Sequence, residues 1–152
     1  MFIYTVRAST LRFFAIICMA AGVFLGLLYL TPADAQIVGA SVKLDGADTN
    51  DGRRAYLSSL GYETEQMPVE SIKIKIPSEF DKIYAGYNEI QKTKGFDLSK
   101  YKEKTVERYT YKVTNYKDYE GEVYANVIVY RGKVVGGDIC SADAAGFVVG
   151  LG

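Results

Sequence analysis

The sequence has no histidine, no tryptophan, only two cysteines and three prolines, and its formal charges cancel. Without histidine, Ser-His-Asp and Cys-His catalysis are excluded, and so are most zinc sites, which draw on imidazole. Cys18 sits inside an apolar run and Cys140 stands alone beyond it, so no disulfide can form within one folded domain. A lipoprotein role for Cys18 fits poorly, because bulky Ile17 precedes it and apolar residues continue well past it. Phosphate-cradling loops are missing too: VGGD at 135–138 lacks the Lys and Ser/Thr of a P-loop, and GFVVGLG at 146–152 lacks dinucleotide spacing. The balanced charge points away from nucleic acid, and no cofactor or metal is expected.

What the chain does have is one long uncharged stretch. Phe13 to Leu30 is an 18-residue run, and a helix of that length covers about 27 Å, close to the ~30 Å hydrocarbon core. Two readings follow. The length favours a retained single-pass anchor, while Ala33-Asp34-Ala35 has the small-x-small form of a signal-peptidase site, and cleavage after Ala35 would secrete a chain starting at Gln36. Arg7 and Arg12 precede the run and no cation follows it before Lys43, so the positive-inside rule puts the N-terminus in the cytoplasm and the rest outside the cell membrane. The expected organisation is a cytoplasmic tip with a transmembrane helix or signal peptide over 1–35, a linker over 36–50, and one extracytoplasmic domain over 51–152.

Within that domain the patterns alternate between helix and strand periods. LDGADTNDG looks like a calcium loop, but Gly52 stands where the third ligand belongs and no Glu closes the loop. The better account is that Asn50 or Asp51 caps a helix over 52–60, with Tyr56, Leu57 and Leu60 on one face and Gly61 at its left-handed end. SIKIKI is a clean strand, with Ile72, Ile74 and Ile76 on one side and Ser71, Lys73 and Lys75 on the other. Pro77 stops it, Ser78 and Asp81 resemble a capping box, and Phe80, Ile83, Tyr84, Tyr87 and Ile90 then make the apolar stripe of a helix running to about Thr93, before Gly95. Asp97 caps a short helical turn that buries Leu98 and Tyr101.

Three further strands are read over 105–116, 122–130 and 133–140, with a turn at Asp118 to Gly121 and a hairpin at Arg131-Gly132-Lys133. The first of these, over 105–116, places Tyr109, Tyr111 and Val113 on one face and Arg108, Thr110, Lys112 and Thr114 on the other. The tail SADAAGFVVGLG either closes the sheet edge or lies loose. The expected fold is α+β: an N-terminal transmembrane helix, then a two-layer domain of about two helices on one side of a three- to four-stranded antiparallel sheet.

The order YLSSLGYE, a strand ending in IP, EFDKIYAGYNEIQKTKGFDLSKYK, RYTYKVTNY, ANVIVYRGKVVGGDICS and GF resembles a domain-of-unknown-function family of small bacterial membrane-anchored proteins, from about Arg53 to Leu151. The resemblance implies an extracytoplasmic, membrane-tethered domain and implies no activity. This chain departs from the family pattern at Glu103, where Gly often follows the Tyr-Lys pair, which weakens the expectation of a tight turn there.

If the apolar strand faces meet the helices, the opposite face gathers Lys73, Lys75, Arg108 and Lys112, with Tyr124, Asn126 and Tyr130 beside them. Such a basic, tyrosine-bearing face is the candidate ligand surface, for an anionic envelope polymer, lipid head groups or a protein partner, although long polar side chains and Tyr also commonly dress a wet sheet face. No catalytic residues are assigned: Asp118, Glu120 and Glu122 cluster in a turn that reads as a solvated loop, Asp138 reads as a hydrogen-bond partner for a neighbouring loop, and Cys140 as a half-buried apolar residue. The expected function is non-catalytic binding or sensing at the cell envelope, with the membrane as partner through Phe13–Leu30. The alternatives are a carboxylate-dependent hydrolase of envelope polymers and a small secreted inhibitor-like domain.

Overall fold

The computed structural model describes residues 44–143 and 145–152. Phe13–Leu30, the cleavage motif before Gln36 and most of the expected linker lie outside the described residues, and among the described residues no helix is long and apolar enough to cross a membrane. The order is α1 (Asn50–Ser59), β1 (Glu70–Lys75), α2 (Lys82–Thr93), a 3-10 turn (Leu98–Tyr101), β2 (Thr105–Val113), β3 (Val123–Tyr130), β4 (Lys133–Ser141) and β5 (Val148–Gly150). All strands join one antiparallel sheet in chain order. The class is α+β, and the sheet has five strands, not three or four, because the tail's Val148–Gly150 pairs with Asp138, Ile139 and Cys140 of β4.

Local chemistry sets the helix ends. Thr49, in extended backbone, caps α1 by accepting from the Gly52 N–H at 3.0 Å, so the expected caps Asn50 and Asp51 fall inside the helix. Gly61 ends it at φ 89°. Asp81, and not Ser78, caps α2 by accepting from the Tyr84 N–H at 2.7 Å. Asp97 caps the 3-10 turn and Leu98 is fully buried behind it. Arg131 and Gly132 both take positive φ, which gives the two-residue β3–β4 hairpin its turn. The domain also starts before residue 51: Asp45 bridges to Lys133, and buried Ala47 donates its N–H to the Gly132 carbonyl at 2.9 Å.

The register decides what shares a face. Ile72 opposes Arg108, Ile74 opposes Val106, and Arg108 in turn opposes Ile128. On this face Val106, Ile128, Val135, Ile76 and Leu98 form a core with Phe80, Tyr84 and Tyr87, the residues leading into and lying on α2. The other face carries Tyr111, Val113, Val123, Ala125, Val127 and Val129 beneath Tyr56 and Leu57 of α1. The two helices therefore cover opposite faces, and the expected two-layer arrangement with one wet face is corrected. The cause lies in the central strands: Val127, Ile128 and Val129 in β3 and Val134 and Val135 in β4 are all buried, and such continuous apolar strands need cover on both sides. Each of these side chains adds about 1.5–3 kcal/mol of burial.

Candidate functional site

Lys73 and Lys75 do not join Arg108 and Lys112. Lys73 opposes Glu107 and Lys75 opposes Thr105, so both lysines lie on the α1 face, at the sheet's β1 edge. Arg108, Lys112, Tyr124, Asn126 and Tyr130 lie on the α2 face. The expected single basic surface is thus split, because alternation along one strand says nothing about which face of the next strand it joins; register does. Tyr130 is half-buried, its ring packed edge-on against Tyr101 at 5.4 Å and against the core of Val106 and Ile128.

What the α2 face gathers is a polar cluster across four strands and a helix. Cross-strand pairing aligns Glu70, Thr110, Asn126 and Asp138 in one row and Lys112, Tyr124 and Cys140 in the next. Asp138 is 5% exposed. One carboxylate oxygen accepts from the Tyr87 hydroxyl of α2 at 2.6 Å and the other from the Asn126 amide of β3 at 2.8 Å. Asn126 accepts in turn from the Thr110 hydroxyl at 2.7 Å, and its amide also reaches the Cys140 sulfur at 3.4 Å. Arg108, itself buried, forms an ion pair with Glu70 at the rim.

Electrostatics follow from that placement. Burial raises the Asp138 carboxyl above its ordinary value, against the pull of the Tyr87 and Asn126 hydrogen bonds and the Arg108 charge. Burial pushes the Tyr87 hydroxyl well up, and the Asp138 charge adds to it. Burial likewise drives the Cys140 thiol up, with Asp138 reinforcing it. A thiol in such surroundings is not an activated nucleophile. At the outer corner, Lys112 bonds Glu122 at 2.6 Å, and Tyr124 donates to the other Glu122 oxygen at 2.7 Å. The Lys112 and Tyr124 bonds hold the Glu122 carboxyl below its usual range, the reverse of what a general acid needs. Asp118 and Glu120 are solvent-exposed in the connecting turn, as expected for a solvated loop.

Asp138 therefore bonds a helix and the neighbouring strand, where the sequence suggested a nearby loop. Tyr87 and Glu70 carry no such signal in the sequence: Tyr87 reads as one member of an apolar helical stripe, and its second job at the hydroxyl end leaves no mark on that spacing. Asn126 and Asp138 carry a signal, each being a polar residue inside an otherwise apolar strand, VYANVIVY and KVVGGDICS. The same holds on the α1 face, where buried Arg53 donates to the Tyr111 hydroxyl at 2.8 Å and to the Ala47 carbonyl at 2.9 Å, with its guanidinium 3.5 Å from the Tyr109 ring centre. No group of three or more metal-binding side chains occurs among the described residues.

No curated protein and no solved structure matches the chain. The family described as a domain of unknown function, DUF4830, matches residues 56–139, from the middle of α1 to Ile139 within β4, a narrower span than the expected Arg53 to Leu151. That stretch holds Tyr87, Arg108, Thr110, Asn126 and Asp138 and stops short of Cys140 and β5. With more than half of its length matched, the chain belongs to this family of domains of unknown function, DUF4830.

Proposed function

We propose that the protein is a membrane-tethered, extracytoplasmic domain that binds or senses at the bacterial cell envelope without catalysing a reaction. One observation carries the binding half of this reading. The acids and the thiol on the α2 face are held by partners: both Asp138 oxygens accept hydrogen bonds, both Glu122 oxygens accept hydrogen bonds, and the Cys140 sulfur takes one from Asn126. Such a cluster is preorganised to present a surface and poorly placed to move protons. The surface it backs is the corner of Thr110, Lys112, Glu122 and Tyr124, where Lys112 and Glu122 stay accessible at 36% and 54% side-chain exposure. An envelope polymer or an envelope protein is the class of ligand that fits an outward-facing, tethered domain. Tethering itself rests on the uncharged run Phe13–Leu30 behind Arg7 and Arg12.

The test is the intact mass of the protein from its native cells, with membrane and medium fractions measured separately. A full-length species in the membrane is expected. A species beginning at Gln36 in the medium overturns the tether and turns the search to diffusible targets.

A further inference from the structure

Among the described residues β1 has a single neighbour, β2, so one side of its backbone is open. The ladder identifies which residues look outward. Ile76 donates its N–H to the Lys104 carbonyl at 2.9 Å, and its own carbonyl accepts from the Glu103 N–H at 2.8 Å, so both its backbone groups face the β2 side. Counting back by twos from Ile76, Ile74, Ile72 and Glu70 turn their N–H and C=O groups toward β2, while Ser71, Lys73 and Lys75 turn theirs away. An open row of this kind is a template for one more strand.

Side chains along the edge say what that strand must be. On the α1 face the edge presents exposed Ser71, Lys73 and Lys75, with Lys73 at 74% side-chain exposure. On the α2 face it presents half-buried Ile72 and Ile74. Lys73 meets Glu107 at 3.8 Å, a loose contact between exposed groups that an incoming carboxylate can replace at little cost. Edge lysines ordinarily repel a neutral or basic strand, and that same repulsion becomes selectivity for an acidic one. A second copy of this chain does not qualify: the one acid of its β1, Glu70, lies on the α2 face, so self-pairing supplies no carboxylate to Lys73 or Lys75.

We infer that the open edge of β1 takes an extended peptide of a partner protein as a sixth strand, one whose residues alternate between acidic, opposite Lys73 and Lys75, and apolar, beside Ile72 and Ile74. This surface is separate from the Lys112 and Tyr124 corner, and it gives Lys73 and Lys75 a role that register denies them there.

The probe is a fluorescent ten-residue peptide of alternating Glu and Val, titrated against the full chain by polarisation, beside a counterpart with Lys in place of each Glu. Lys73→Pro removes an outward-facing N–H and leaves the β1–β2 ladder whole, so it is expected to abolish binding of the Glu-Val peptide. Lys73→Glu with Lys75→Glu keeps the backbone intact and is expected to weaken binding about tenfold, through loss and reversal of two exposed charge pairs. Added peptide should also slow amide exchange at Ser71, Lys73 and Lys75. Equal binding of the Lys peptide, Glu-Val binding that survives the Lys73→Glu/Lys75→Glu change, or absence of Glu-Val binding at millimolar peptide overturns the proposal.

Discussion

The Tyr87 hydroxyl on α2 donates a 2.6 Å hydrogen bond to a carboxylate oxygen of Asp138 on β4, tying a helix to the middle of the sheet's α2 face through a buried acid. Because burial raises this carboxyl above 3.8, the folded chain holds its proton more tightly than the unfolded chain does. The contribution of Asp138 to stability is therefore greatest below pH 3.8 and falls as pH rises through the folded value. Denaturant midpoints across pH should show the wild type losing ground to Asp138→Asn as pH rises from that point. A constant difference between the two proteins at every pH would show that Asp138 titrates as it does in the unfolded chain. Tyr87→Phe should cost about 1–3 kcal/mol, the loss of a hydrogen bond to a buried acid.

On the opposite face, the Tyr111 hydroxyl accepts from Arg53 and donates to Asn50 at 2.9 Å. Tyr111 has no exposed surface. Tyr111→Phe keeps the ring and its packing and leaves both partners short of one bond, so a loss of about 1–3 kcal/mol is expected in urea unfolding with an unchanged slope. A loss below a few tenths of a kcal/mol would mean that water replaces the hydroxyl freely.

Elements were more legible than their assembly, and the reason is visible in β1 and β2. SIKIKI alternates cleanly, so its two faces could be read directly, and the observed burial follows that alternation. In β2, Tyr109, Tyr111 and Val113 look apolar beside Arg108, Thr110 and Lys112, which invites pairing Ile72 with the tyrosine side. Register joins Ile72 to Arg108 instead. Nothing in either strand alone carries that choice; the clue sat in VIV of β3 and VV of β4, where consecutive apolar residues demand a covered sheet on both faces. The polar cluster was half legible for a related reason. Asp138 stands out in its strand, but its partner Tyr87 comes from far along the chain and looks like an ordinary core residue.

Asp97 offers the opposite pH behaviour from Asp138. Bonds from the Ser99 hydroxyl and the Asn88 amide, with the Ser99 N–H, lower its carboxyl to about 2. A lowered folded value means that its stabilisation is present above the ordinary 3.8 and is lost as pH falls from there through about 2. Asp97→Asn should then match the wild type in strong acid and fall behind it toward neutral pH, with the effect kept small by solvent around a partly exposed group. Acid titrations of the unfolding midpoint check this, and a gap between the two proteins that is widest in strong acid would contradict it.

Glu103 sits at φ 62°, in the left-handed region, directly after Tyr101-Lys102. The tight turn that the missing glycine made doubtful is therefore present, with a side-chain-bearing residue in glycine's place. Its backbone explains why: the Glu103 N–H bonds the Ile76 carbonyl at 2.8 Å and the Lys104 N–H bonds the Tyr101 carbonyl at 3.0 Å, so the link from the 3-10 turn to β2 is held from both sides. Left-handed backbone costs an L-residue about 1–2 kcal/mol, while glycine adopts it freely and loses part of that gain to its greater freedom when unfolded. Glu103→Gly should consequently raise stability by about 0.5–1 kcal/mol, read as an upward shift of the thermal midpoint. Glu103→Ala separates the two possible causes, since it removes the carboxylate and keeps the Cβ: a gain in Ala equal to that in Gly would assign the effect to charge and not to backbone conformation.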